Sequence, residues 1–108
     1  MTKPDSGGPF VFRVSDAFEV PLRGWMLRLR RLEGRPSMRD LATGRTLRIR
    51  APDGAERTVV IRAHAVTAGR PTQQRLDTLG ELDVIIAAED AVADGARVDI
   101  GWTAAGPA

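Results

Sequence analysis

The stretch 9–24, PFVFRVSDAFEVPLRG, holds all three phenylalanines of the chain and constrains the fold more than any other segment. Phe10, Phe12, Val14, Phe18 and Val20 alternate at period two with Val11, Arg13, Ser15, Ala17 and Glu19, the pattern of a β-strand with one buried face. A strand that places every Phe on one face must lie against a core. Pro21 and Gly24 then forbid simple continuation of its ladder, so the stretch reads as an opening strand that turns a corner.

Further strands follow, with turn punctuation between them. Trp25, Leu27 and Leu29 alternate with Met26, Arg28 and Arg30; Leu47 and Ile49 alternate with Arg48 and Arg50; Asp53-Gly54 marks a hairpin turn. Residues 58–66 read as one long strand with two largely apolar faces. Either Val59, Ile61, Ala63 and Ala65 or Val60, Arg62, His64 and Val66 can face inward. Residues 81–87 and 97–102 supply two more strands, and 34–43 a loop or one short helical turn. No apolar stripe of helical period exceeds two turns. About six short strands, evenly spaced and with glycines near their ends, predict an all-β domain that closes into a small barrel in preference to a sandwich. Closure also removes exposed edges. The 108 residues suffice for one domain burying roughly 65% of its unfolded surface. The expected organisation is a disordered lead-in over 1–8, the domain over 9–103 and a frayed end over 104–108.

Several function classes drop out on composition. No cysteine is present, which excludes disulfides and thiolate-ligated metals, and His64 is the sole histidine. Asp83, Glu89 and Asp90 could in principle pair as carboxylate acid and base, but charge runs near loops ordinarily form solvated faces. No nucleophile has a partner and no glycine pattern cradles phosphate. The expectation is a non-enzyme with no cofactor, no metal and no catalytic residue. No stretch approaches the ~18 apolar residues of a membrane span, so a soluble cytoplasmic protein without a membrane partner is expected.

Charge is segregated along the chain. Between residues 23 and 62 eleven arginines face four acids, whereas from residue 76 onward Arg97 stands alone against seven. Fifteen of the sixteen basic residues are arginine, whose planar fork suits phosphates and carboxylates. Arg28 and Arg30 share one strand face, Arg48 and Arg50 share another, and neighbouring strands would bring the four into a patch that Arg62 could join. Such a face predicts binding to structured RNA or the ribosome. The alternative is an interaction module that docks on an acidic protein partner or forms a homo-oligomer through its own acidic end.

The run FxFxVxDxFxVPxRG, as it stands from Phe10 to Gly24, resembles the opening of the second domain of translational GTPases such as elongation factor Tu. Downstream spacing is compatible through the glycine-bounded segment 32–44, Thr58-Val59-Val60, the Arg-containing segment 70–75, the strand after Gly80, and Ala93-Asp94-Gly95-Ala96-Arg97-Val98. The resemblance implies a six-stranded Greek-key barrel standing without its GTPase domain, for no GxxxxGK[ST] loop occurs. It also implies that Asp16 and Phe18 match positions facing the aminoacyl end of transfer RNA, with Arg23 at the corner. Ser15 and Arg28 depart from the usual Glu and Thr.

Overall fold

The computed structural model describes residues 8–65, 72–93 and 95–107. The expected lead-in therefore lies almost wholly outside the described residues, as do residues 66–71, which include the first two of segment 70–75, and Asp94 and Ala108. Strand β1 (Phe10–Val20) pairs antiparallel with β2 (Gly24–Glu33) across a tight turn in which Arg23 N donates to Val20 O at 3.0 Å. Pro21 presets the first turn position. Leu22 has φ +67° and occupies the place that such turns usually give to glycine.

The first half of β1 behaves as its pattern dictates: Phe10, Phe12 and Val14 are buried, and the rings of Phe10 and Phe12 meet edge to face at 5.6 Å. The second half does not. Val14 pairs with Leu29 but Asp16 pairs with Arg28, so Ser15 is an extra residue, a β-bulge. One added residue exchanges the faces of everything beyond it. Ala17 rather than Phe18 therefore packs toward the core opposite Leu27, and Phe18 is 42% exposed opposite Met26. The expectation that Phe18 and Val20 share the inward face is corrected on this ground.

The remaining strands are β3 (Thr46–Arg50), β4 (Glu56–Val60), β5 (Ala63–His64), β6 (Glu81–Ile86), the short ribbon β7 (Val92–Ala93) with β8 (Ala96–Arg97), and β9 (Thr103–Gly106). Two short helices, α1 (Gln73–Leu79) and α2 (Ala88–Ala91), punctuate them. The chain is thus mostly β, with a seven-stranded antiparallel sheet ordered β4-β3-β9-β1-β2-β6-β5. Its ladders leave β4 and β5 as edges. The expected single strand over 58–66 is divided between these two edges, and its inward residues in the first part are Val59 and Ile61, both buried. Ile61 N donates to Arg45 O on one side, and Arg62 N donates to Ile85 O on the other.

The C-terminal end differs most from expectation. Residues 98–102 form a turn, not a strand, and Thr103–Gly106 is not frayed: it runs between β1 and β3. Small residues are required there. A Cβ on Gly106 would lie 2.6 Å from the Phe10 ring, and buried Ala104 sits between Phe12 and Ile49 in register. Helix α1 is short because it contributes one buried residue, Leu76. Thr72 caps its start through the amide of Arg75, and Gly80, left-handed at φ 66°, ends it.

Candidate functional site

Two outward surfaces collect the residues singled out by sequence. On the first, the bulge sets Asp16 beside Arg28 and Phe18 beside Met26, and β6 continues both rows with Asp83 and Ile85, Met26 and Ile85 being themselves buried. Arg28 donates from Nε to Asp83 Oδ1 at 3.0 Å and from an Nη to Oδ2 at 3.3 Å, a two-pronged contact. The hydrogen bond to Asp83 and then its charge hold the guanidinium above its ordinary pKa, with Asp16 and Glu81 adding to the effect. Asp16 accepts from its neighbour's amide, Ala17 N, at 3.0 Å, and Ser15 Oγ donates to Arg28 O at 3.2 Å. These contacts hold the bulge. Arg28 is consequently committed to an internal partner, unlike the freely presented cation that the sequence pattern suggested.

The Arg28–Asp83 pair is open to water on the arginine side, which limits its value. Arg28→Ala should lower stability by about 0.5–1 kcal/mol in urea denaturation. Arg28→Glu should cost more, because the new carboxylate would face Asp16 and Asp83. A drop of several kcal/mol for the alanine variant would show that the pair carries a burial term that its exposure does not suggest.

The second surface lies across β3, β9, β1 and β2. The expected patch is corrected in its construction: β2 and β3 are not neighbours, since β9 and β1 lie between them. Register nevertheless relates their arginines. Arg50 opposes Thr103, Thr103 opposes Arg13, and Arg13 opposes Arg30, while Arg48 opposes Ala105 in the adjoining row. Their alternating neighbours Ile49, Ala104, Phe12, Val14 and Leu29 are buried, so all four arginines point outward. All four are exposed. Arg48 approaches Glu56 at 3.8 Å, and the ion pairs found among the described residues do not involve Arg13, Arg30 or Arg50. The floor between the β3 arginines and Arg13 consists of the short side chains of Thr103 and Ala105. Arg13 was not among the sequence candidates. Its alternation with Phe12 and Val14 signalled an outward position, but only cross-strand register shows what it joins.

Arg62 and Arg23 are elsewhere. Both line an open groove of about 490 Å³ at the β1–β2 corner, with Glu19, Leu22, Gly24, Ala87 and Glu89. Two further arginines serve the fold. Arg57 lies 5.2 Å over the Trp102 ring and donates to Ala91 O and Ala96 O, while Arg97 lies 5.7 Å over Trp25. His64 Nε2 lies 2.7 Å from Leu41 O. Among the described residues no group of three or more His, Asp or Glu side chains could hold a metal, and no helix is long and apolar enough to cross a membrane.

No family model matches the chain, and no curated protein is similar enough to register as a match.

Proposed function

We propose that this chain is a non-catalytic binding module whose outward arginine face engages the phosphate backbone of a structured RNA, as expected of a translation-factor second domain. The observation that carries this reading is the register that lines up Arg50, Thr103, Arg13 and Arg30 across β3, β9, β1 and β2, with Arg48 in the adjoining row. Phosphate recognition asks for exposed cations on a rigid surface; all four arginines are exposed, Arg48 alone of them in an ion pair found among the described residues, and a strand face supplies the rigidity. The face carries no aromatic platform, which favours backbone contact over base stacking. Within this reading the sheet is a six-stranded barrel in which β4 and β5 are halves of one bent strand. The paired contacts of Ile61 with Arg45 and of Arg62 with Ile85, on successive residues at opposite sheet edges, support that closure. The cellular setting is then the cytoplasm, beside the ribosome.

The test is fluorescence anisotropy with a labelled, structured ribosomal or transfer RNA across a salt series. Four phosphate contacts give a log–log slope of about −3. Arg13→Glu/Arg30→Glu should weaken binding at least tenfold with an unchanged circular dichroism spectrum, whereas Arg62→Glu should leave it nearly unchanged. A folded protein that binds no RNA at low salt would rule the reading out.

A second reading, a protein-interaction module, is favoured by one specific observation: Leu22 stands fully exposed on the β1–β2 turn, with Phe18 42% exposed four residues before it on β1. Apolar surface presented on a turn contributes nothing to phosphate binding and suits contact with protein.

A further inference from the structure

Two features that are unusual together meet at Leu22. Its side chain is fully exposed at the tip of the turn, and its φ of +67° is one that glycine adopts without steric cost. A glycine would remove both. Leucine at this position makes sense where the side chain has a place to go.

The receiving surface is beside it. The open corner groove of about 490 Å³ has small residues, Gly24, Ala87 and Ala88, along its lining, and its charged members are Glu19, Arg23, Arg62 and Glu89. Two are acidic and two basic, and the ion pairs found among the described residues include none of them. A groove with two glutamates and two arginines around small residues can, when rotated by a two-fold axis, set arginine against glutamate on both sides. Leu22 stands at the edge of the groove that would receive its counterpart, so one patch provides both projection and receptor.

We propose that the occupant of the corner groove is a second copy of this chain, in a two-fold dimer in which each Leu22 enters the other copy's groove. This rests on the protein-interaction reading of the corner and is independent of the arginine face, which lies on β3, β9, β1 and β2. The contact is small, so association is weak and visible only at high concentration. It also weakens with salt, because rim charges contribute to it.

Sedimentation equilibrium of the native protein at roughly 10–500 µM tests this range of weak association. The expected result is a reversible monomer–dimer equilibrium. Leu22→Gly should weaken it at least tenfold while leaving the melting temperature unchanged or higher, since the turn accepts glycine. Ala88→Trp, which fills the groove from an exposed position, should weaken it to a similar degree with Leu22 still in place. A native protein that stays monomeric throughout overturns the proposal, as does a dimer that either variant leaves intact. RNA binding that persists in both variants keeps the outcome separate from the fate of the arginine-face reading.

Discussion

Gly24→Ala should destabilise the protein by about 3 kcal/mol or more, a large share of the 5–15 kcal/mol typical of a domain. Two costs coincide at this residue. Its φ of +126° is one that L-residues rarely adopt, which alone costs on the order of 1–3 kcal/mol. A Cβ built there would also lie 2.3 Å from Ile86 O and 3.3 Å from the same carbonyl carbon. Backbone cannot swing aside as a side chain can. Relief would require β2 and β6 to separate where Trp25 meets Ile86, at the start of their ladder, adding an overpacking cost of about 1–3 kcal/mol. The melting temperature should fall by roughly 12–20 °C. Gly44→Ala is the control, because Gly44 has φ +93° with nothing within 4 Å of the added carbon, so only the backbone term applies. Equal losses for the two variants in thermal or urea unfolding would show that the Ile86 contact is immaterial.

Gly24 was legible in the sequence as the end of a corner, and the reason shows how far local pattern reaches. The sequence pattern located β1, β2, β3 and β6 through their inward apolar rows, although the outward rows of β2 and β6 also hold the buried Met26 and Ile85. It failed wherever a second strand decides the outcome. The bulge at Ser15 leaves no mark in an alternation count, since Asp16 and Phe18 continue the old period while their partners Arg28 and Met26 do not. In the sequence alone, β9 reads as a frayed tail because Ala104 and Gly106 are small. Their smallness is imposed by Phe10 and Phe12, nearly a hundred residues earlier in the sequence. The candidate site divides along the same line. That Arg30, Arg48 and Arg50 face outward followed from their own strands, but Arg13 joins them only through the order of β3, β9, β1 and β2, and Arg28 left the set only once Asp83 came opposite it.

Arg57 is the arginine whose loss should be felt in the fold. From the inward side of β4, opposite buried Ile49, it reaches the end of the sheet and donates to Ala91 O at 2.7 Å and to Ala96 O at 3.1 Å, with its guanidinium over Trp102. Those carbonyls belong to the end of α2 and to β8, so one planar cation ties the α2–β7–β8 excursion to β4 and β9's approach. Hydrogen bonds from a charged donor contribute about 1.5–3 kcal/mol each, and a partly desolvated cation–π contact about 0.5–2 kcal/mol. These terms overlap, and Ala91 O keeps a second donor in Val98 N, so Arg57→Ala should cost about 3 kcal/mol rather than their sum. Arg57→Lys should recover little, because an ammonium cannot span both carbonyls while lying flat on an indole. RNA affinity should be unchanged in folded Arg57→Ala, since the guanidinium is spent internally. The same cation that a charge count assigns to a binding surface is here part of the scaffold. A variant that keeps full stability in urea but loses RNA binding would reverse that assignment and place Arg57 on the interface.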